Sequence, residues 1–413
     1  LWGIDFFWIA AIGLVVLTAL YTIFGGMKSV LYTSVLQTPI LLLGSLIILV
    51  LGFKELGGWD EMMRVCGAVT VNDYGDTMTN LIRSNDDANF PWLGALIGSA
   101  IIGFWYWCTD QFIVQRVLSG KNEMEARRGT IFGAYLKLLP VFLFLIPGMI
   151  AFALHQKYIG AGGEGFLPML ENGTANADAA FPTLVAKLLP AGVKGLVVCG
   201  ILAALMSSLA SLFNSSAMLF TIDFYKRFRP QTSEKKLVGI GQVATVVIVI
   251  LGILWIPIMR SVGDVLYTYL QDVQSVLAPG IAAAFLLGIC WKRTSAQGGM
   301  WGLISGMVIG LTRLGAKVYY SNAGEVADST FKYLFYDMNW LFFCGWMFLF
   351  CIIVVIVVSL ATEAPTAEKI QGLVFGTATK EQKASTRASW NHWDIIHTVI
   401  ILAITGAFYW YFW

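Results

Sequence analysis

The sequence predicts an all-α integral membrane protein with about ten transmembrane helices. Hydrophobic residues make up 57% of the 413 residues and charged residues only 13%, and the mean hydropathy is +0.72. A soluble domain carries about 25% charged residues, so this chain has too little charge to cover a soluble surface. The chain also contains repeated apolar runs of about 20 residues, the length of a helix that crosses the hydrocarbon of a bilayer. We therefore expect a lipid bilayer around most of it.

The apolar runs define ten candidate spans. They lie at 5–24, 29–53, 92–118, 129–155, 194–224, 237–258, 264–290, 296–318, 338–361 and 391–412. The formal net charge is +2 and no basic tract is present, so the sequence predicts no nucleic-acid partner. The chain starts with Leu1 and has no signal segment, which predicts that it begins inside a longer protein.

Lysine and arginine concentrate on one alternate set of connections between the spans. Because cytoplasmic loops carry an excess of these residues, we place this set in the cytoplasm, with both ends of the chain near the outer side. The bases of this set are Lys28, Arg116, Lys121, Arg127, Arg128, Lys226, Arg227, Arg229, Lys235, Lys236, Lys292, Arg293, Lys369, Lys380, Lys383 and Arg387.

Lys137 lies deep within the fourth predicted span. The next charge toward the cytoplasm is Arg128, nine residues earlier, so Lys137 is about 13 Å deeper along a helix. Ionisable side chains inside spans are costly and usually functional. Either the lysine stem reaches the interface, or its ammonium lies in a wet cavity and donates hydrogen bonds to substrate hydroxyls.

Small and polar residues form one face of the fifth span. Ala204, Ser207 and Ser208 have the i, i+3, i+4 spacing of neighbours on a helix surface. Small residues allow tight helix packing in membranes. The alternative is a cation site, because two hydroxyls and a nearby backbone carbonyl are the hard oxygen ligands of an alkali ion.

An aromatic run occupies the middle of the third span, Gly103-Phe-Trp-Tyr106-Trp107. A helix break at the glycine would leave rings lining a cavity, and aromatic faces pack well against the C–H faces of a sugar. The alternative is an aromatic packing cluster.

An amide and a carboxylate occupy the seventh span, in the run Tyr267-Thr-Tyr-Leu-Gln271-Asp272. Unpaired polar groups are expensive in an apolar medium, so both require partners. The partner is either a substrate or another helix.

These runs together resemble the solute:sodium symporter family, in particular its sodium/glucose and sodium/myo-inositol cotransporter branch. The matching strings occur in order and at compatible spacing over much of the chain. They are Trp105-Tyr-Trp-Cys-Thr-Asp-Gln111, Ile113-Val-Gln-Arg116, Tyr135-Leu-Lys-Leu138, Pro147-Gly148, Met206-Ser-Ser-Leu209, Phe213-Asn-Ser215, Asp223-Phe-Tyr225, Gln271, Phe285-Leu-Leu and Trp291-Lys-Arg293.

The resemblance implies a five-plus-five inverted-repeat symporter fold in a single transmembrane domain over 1–413, truncated at its N-terminus. Residues 1–53 would be the last two helices of the first repeat, 92–290 the second five-helix repeat and 296–413 three peripheral helices. The remaining sodium and sugar ligands would come from preceding helices.

The family roles carry over residue by residue. Lys137 and Gln271 would hydrogen-bond sugar hydroxyls, with Trp107 in the same binding set. Tyr106 would be the inner gate, and Tyr267 would occupy the outer aromatic lid, where phenylalanine is usual.

The resemblance also implies a sodium site at Ser207, Ser208 and the Ala204 carbonyl. Members that couple two sodium ions carry aspartate in the string that here reads Tyr32-Thr33-Ser34, and threonine where this chain has Ala210. Both oxygen donors are changed here, which predicts one sodium per substrate. Gly103 stands where sugar carriers tend to place a polar side chain, so the exact sugar is left open.

The sequence thus predicts a transporter that couples inward sodium flux to uptake of a sugar or polyol by alternating access, in a plasma or bacterial inner membrane. Two alternatives are a symporter of the same fold for an amino acid or a carboxylate, and a transporter-derived membrane sensor. We do not expect an enzyme, because no paired carboxylates, metal-ligand cluster or activated nucleophile are grouped in the spans.

Overall fold

The structure, a computed structural model, describes residues 6–170, 173–260, 266–322 and 327–413. Residues 1–5 of the first predicted span and 264–265 of the seventh lie outside these ranges. In chain order the α-helices are α1 Phe6–Leu56, α2 Trp59–Gly67, α3 Trp92–Cys108, α4 Gln111–Leu118, α5 Glu123–Pro140, α6 Ile146–Gly160, α7 Ala180–Leu188, α8 Ala191–Met218, α9 Lys226–Phe228, α10 Glu234–Arg260, α11 Leu266–Cys290, α12 Ala296–Asn322, α13 Thr330–Lys332, α14 Trp340–Ala361, α15 Ala367–Ile370, α16 Lys380–Ala388 and α17 His392–Tyr411.

The all-helical prediction is confirmed. Within the described ranges the only extended pairing consists of two isolated bridges, Thr70 with Thr77 and Met169 with Ala175. Eight segments are long and apolar enough to cross a membrane, and the bent pair α3–α4 makes nine, over the part of the chain that the structure describes. The eight are Phe7–Phe24, Gln37–Leu56, Glu123–Gly160, Ala191–Phe228, Glu234–Pro257, Leu270–Cys290, Trp340–Ala361 and His392–Tyr411.

The predicted span at 296–318 forms a helix, α12, but is more polar than the other nine. Its many glycines lower its hydropathy, and Arg313 and Lys317 lie near its end. Both cations have partners inside the protein, as described below.

The first two predicted spans belong to one helix. The sequence predicts separate spans at 5–24 and 29–53, whereas α1 continues for 51 residues. At 1.5 Å per residue α1 is about 77 Å long, more than twice the thickness of the hydrocarbon. The backbone stays helical through Gly25-Gly26 because glycine accepts helical dihedrals and no proline occurs in α1 before Pro39.

Three short π-helical segments adjoin the α-helices, Val141–Leu145, Leu219–Tyr225 and Tyr333–Asp337. The first joins α5 to α6, and the N–H of Ile146 donates to the carbonyl of Val141, five residues back. Pro147 has no N–H, so the carbonyl of Leu143 lacks its usual donor four residues on, which favours this wider turn.

The chain divides into two compact units. The first combines residues 1–69 and 138–263, and its main contact joins α1 to α8. The helices approach closely at glycines, since a Cβ on Gly44 would lie 2.6 Å from Cγ2 of Val197, and one on Gly200 would lie 3.0 Å from Cγ2 of Ile40. Small residues at helix crossings are the usual means of packing in membranes.

Cys66 of α2 is fully buried in the first unit, and its thiol donates to the carbonyl of Met149 at 3.7 Å. Burial raises the pKa of the Cys66 thiol to about 11. The neutral thiol therefore dominates near neutral pH.

The second unit combines residues 70–137 and 264–413, and α3, α11, α12 and α14 form its centre. A Cβ on Gly98 would lie 2.9 Å from the carbonyl oxygen of Leu341, and one on Gly310 would lie 2.8 Å from that of Val276. These contacts place α3 against α14 and α12 against α11 at backbone distance.

Asp87 organises the connection that precedes α3. Its carboxylate accepts the N–H groups of Phe90 at 2.7 Å and Asn89 at 2.9 Å and the amide of Asn72 at 3.1 Å. Burial alone would raise the pKa of Asp87, but these hydrogen bonds and the nearby Arg83 guanidinium outweigh it, and the pKa is lowered.

Candidate functional site

The span that carries the aromatic run bends by 47° between α3 and α4. The prediction that Gly103 breaks this helix is wrong, because α3 continues through Gly103 to Cys108. The break follows at Thr109 and Asp110, where the Asp110 carboxylate accepts the N–H of Phe112 at 3.0 Å and caps α4. An aspartate at the N-cap supplies an acceptor for a free helix N–H, which glycine cannot do.

Lys137, Trp107 and Tyr106 form one group in the second unit. The Lys137 ammonium lies 5.7 Å from the centre of the Trp107 ring, within the range of a cation–π contact. The Tyr106 ring meets Trp107 edge to face, with 5.2 Å between ring centres. Lys137 and Trp107 are both exposed, so the ammonium has donors and the indole has surface available to a ligand.

Tyr267 and Gln271 form a second group, one turn apart on α11. The amide nitrogen of Gln271 donates to the Tyr267 hydroxyl at 2.7 Å. Tyr267 is 56% exposed and Gln271 is half-buried. The amide therefore has a polar partner on its own helix while its remaining hydrogen-bonding groups stay available.

The helices that carry these two groups, α3 and α11, pack directly against each other. The rings of Phe104 and Phe285 lie 6.0 Å apart, and Ile102 and Ala282 belong to one buried cluster. The structure thus brings the residues of each group into contact with one another. Over the described ranges, however, no hydrogen bond or ring contact joins Lys137 to Gln271.

An ion network lies beside Gln271 and supplies Asp272 with a partner on another helix, one of the two alternatives that the sequence leaves open. The buried carboxylate of Asp272 lies 2.5 Å from the Lys317 ammonium and 3.4 Å from the Arg313 guanidinium. Arg313 is fully buried, donates to the carbonyl of Met338 at 2.8 Å and lies over the Phe343 ring at 4.1 Å. Two cations one turn apart in a predicted span were the available signal, because such charges require a buried anion.

The predicted sodium residues lie on α8 in the first unit, and their environments differ. Ser207 is buried and Ser208 is exposed, while Ala204 is half-buried. The hydroxyls of Ser207 and Ser34 lie 2.5 Å apart, which ties α8 to α1. The Ser207 carbonyl accepts the Ser211 hydroxyl at 3.0 Å.

Further oxygen atoms surround this part of α8. The Tyr21 hydroxyl donates to the carbonyl of Met206 at 2.7 Å. The side-chain oxygen of Gln37, one turn beyond Ser34 on α1, is buried with no hydrogen-bond partner in the described structure. Ala210 is fully buried and offers no side-chain oxygen. Hydroxyl, carbonyl and amide oxygens are hard ligands suited to an alkali cation.

Comparison with known proteins gives relatives along nearly the whole chain. Human sodium/myo-inositol cotransporter 2 is 36% identical over 381 residues, which are 90% of this chain and 56% of the relative. The sodium/mannose cotransporter of Bos taurus is 35% identical over 433 residues, 98% of this chain and 72% of the relative. Mouse sodium/glucose cotransporter 4 is 36% identical and covers 90% of this chain. The chain spans 56% of the length of the human and mouse relatives.

A solved structure shares the fold. The substrate-bound, outward-open state of a Na⁺-coupled sialic acid symporter superposes with a TM-score of 0.65 at 20% identity, covering 88% of this chain and 68% of that one. The relatives named above are cotransporters and not enzymes. The model of the sodium:solute symporter family matches residues 2–306. The chain is therefore a multi-pass membrane protein that belongs to the sodium:solute symporter family.

Proposed function

We propose that the protein couples inward sodium flux to the uptake of a sugar or polyol by alternating access. One observation carries this proposal: hydrogen-bond donors accompany aromatic side chains on membrane helices, with Lys137 over the Trp107 ring and the Gln271 amide bonded to the Tyr267 hydroxyl. Donors bind the hydroxyls of a neutral polyol, and ring faces cover its C–H surfaces. The relatives that transport myo-inositol, mannose and glucose support the same substrate class.

Within this proposal Tyr106 is the inner gate and Tyr267 belongs to the outer lid. Residues 92–290 serve as the second five-helix repeat, residues 1–53 as the end of the first, and 296–413 as peripheral helices. The membrane is the plasma or bacterial inner membrane, across which a sodium gradient is maintained. Sodium at Ser207, Ser208 and the Ala204 carbonyl drives the cycle by binding the outward-open state better than the inward-open one.

The direct test is sodium-dependent uptake of a panel of radiolabelled sugars and polyols by the intact protein. We expect Lys137→Ala and Gln271→Ala to lose most of the uptake while expression stays unchanged, because each removes donors to substrate hydroxyls. Gln274→Ala, which deletes another amide from the same helix, is the matched control. Unchanged uptake kinetics in both test variants would exclude these residues from the site. Currents evoked only by amino acids or carboxylates would show that the substrate is not a sugar or polyol.

We further propose a stoichiometry of one sodium per substrate. The Ser34 hydroxyl is held by Ser207 at 2.5 Å, and the fully buried Ala210 has no oxygen to offer a second ion. One charge moving through 100 mV supplies about 2.3 kcal/mol and a tenfold sodium gradient about 1.4 kcal/mol. Together they support a roughly 500-fold substrate gradient, whereas two ions would support its square.

The stoichiometry is measured by reversal potential or by paired isotope flux. We expect one sodium per substrate in the wild type, and a ratio of two contradicts the proposal. The double variant Ser34→Asp with Ala210→Thr restores both donors of the two-sodium relatives, so we expect its ratio to rise toward two.

A further inference from the structure

An open cleft of about 780 Å³ lies between α5 and α17 in the second unit, with α4 and α16 at its edges. Its lining residues include Glu123, Arg127 and Ile131 on one side and Trp390, Asp394 and Val399 on the other. None of these residues belongs to the proposed sugar or sodium site. The cleft therefore requires its own explanation.

The two walls of the cleft run in the same direction. Arg127 donates to the Ser389 hydroxyl at 3.2 Å, and the Tyr135 hydroxyl lies 3.0 Å from Nδ1 of His397. Each contact joins residues 262 positions apart, at Ser389 three residues before α17 and at His397 within it, so the chain from 389 runs beside α5 in constant register. Higher residue numbers therefore mean greater depth on both walls at once.

Polarity falls with depth on both walls. On α5 the charged residues Glu123 and Arg127 precede Ile131, and on α17 Asp394, which lies level with residue 132, precedes Val399. From Glu123 to Ile131 the helix rises about 12 Å, the distance from a headgroup layer into the hydrocarbon.

The charged end of the cleft faces the cytoplasm. Both helices start from connections rich in lysine and arginine, at 111–128 and 362–390, which favours the cytoplasmic side. Trp390 lies at the same level, where tryptophan is enriched at membrane surfaces. The cleft thus has the polarity gradient of a phospholipid in the cytoplasmic leaflet.

The charges of the lining select the type of headgroup. Nε of Arg127 is buried and has no hydrogen-bond partner in the described structure, so one N–H of the guanidinium remains to be satisfied. Arginine is a preferred partner of phosphate oxygens. Glu123 adds a carboxylate one turn nearer the cytoplasm than Arg127, whereas Asp394 lies deeper, and one of its oxygens accepts the N–H of Asn391 at 2.8 Å. The headgroup end of the cleft therefore carries one charge of each sign, and a purely anionic headgroup would leave Glu123 without a cationic partner.

We propose that this cleft binds an aminophospholipid of the cytoplasmic leaflet. The phosphodiester lies at Arg127 and the primary ammonium at Glu123, while an acyl chain follows Ile131 and Val399. Each charge of the headgroup then meets an opposite charge and forms a hydrogen bond with it. A quaternary-ammonium headgroup has no N–H to donate to Glu123, and a glycerol headgroup has no positive charge.

The test reconstitutes the intact protein in nanodiscs with equal amounts of phosphatidylethanolamine, phosphatidylcholine and phosphatidylglycerol, and measures co-purifying lipid by native mass spectrometry. We expect about tenfold enrichment of phosphatidylethanolamine, the effect of one charge-assisted hydrogen bond. Arg127→Ala should remove the enrichment together with the bound phospholipid. Arg128→Ala, an exposed neighbour outside the cleft, should retain both.

Glu123→Gln provides a second variant on an exposed position, in case Arg127→Ala does not fold. It should keep bound phospholipid but lose the preference for phosphatidylethanolamine over phosphatidylcholine. Equal retention of the three lipids by the wild type, preferential retention of phosphatidylglycerol, or an equal loss in Arg128→Ala would each overturn the proposal. Because the readout is bound lipid, it is independent of sodium-coupled uptake.

Discussion

Replacing Asp272 by asparagine tests the buried ion network on α11 and α12. The substitution keeps the shape of the side chain and removes its charge. Arg313, with 1% of its side chain exposed, and Lys317, with 33%, then lose their common anion. Removing one partner of a buried pair costs about 3–5 kcal/mol, because the remaining charge stays buried without compensation.

Lys317→Met is the matched comparison. It leaves Asp272 with Arg313 as a neutral pair, and Lys317 is partly exposed, so its removal should cost only about 1 kcal/mol. In the Asp272→Asn background the same change removes one of two uncompensated cations. We therefore expect Lys317→Met to recover part of the stability that Asp272→Asn loses.

The assay is the thermal midpoint of the purified protein in detergent, followed by tryptophan fluorescence. A loss of 3–5 kcal/mol should lower the midpoint by roughly 5–15 °C in Asp272→Asn. A midpoint within about 2 °C of the wild type would show that the carboxylate does not compensate the two cations. A double variant less stable than Asp272→Asn would contradict the assumed charge balance.

Three further predictions concern packing and protonation. Gly98→Ala should lower the free energy of unfolding by about 1–3 kcal/mol, because its Cβ would meet the Leu341 backbone. Gly103→Ala on the same helix, where a Cβ would meet nothing within 4 Å, should raise the free energy of unfolding by about 1 kcal/mol. The thermal midpoints of the two variants test both expectations. Cys66, whose pKa is raised to about 11, should resist maleimide at pH 7.5 until the protein is unfolded. The lowered pKa of Asp87 stabilises the folded state above its unfolded pKa of about 3.9. Amide protection factors in 72–90, which correct for the intrinsic exchange rate, should therefore fall as pH drops below that value and stay level from about pH 5 to 7.

The sequence predicts most of the fold because twenty-residue apolar runs have few alternatives to a membrane helix. Interruptions are harder to locate. The sequence favours a break at Gly103, whereas the structure has it at Asp110, because an aspartate that can cap the next helix is the stronger physical signal. At Gly25-Gly26 the opposite occurs, since a glycine pair permits a break without requiring one.

Candidate site residues can be proposed from sequence where a costly polar group occurs in an apolar run, as with Lys137 and Gln271. Pairings could not be found in this way, because a hydrogen bond such as Ser34 to Ser207 depends on which helices pack together. The cations that pair with Asp272 could not be predicted for the same reason, because the pairing depends on how α11 and α12 are aligned along each other. Sequence periodicity assigns a residue to a face but does not say what that face meets.

If Gln271 binds the solute as proposed, its hydrogen bond to Tyr267 affects how the solute is released. A solute hydroxyl that displaces the tyrosine exchanges one neutral hydrogen bond for another, so the net gain on binding is small, whereas deleting the amide would leave the solute hydroxyl without its donor. When the solute departs, the phenol can return at once and no amide hydrogen is left stranded. In this proposal the Tyr267 hydroxyl replaces the solute as the hydrogen-bond partner of Gln271. The replacement would lower the barrier to solute release and favour rapid turnover over tight binding.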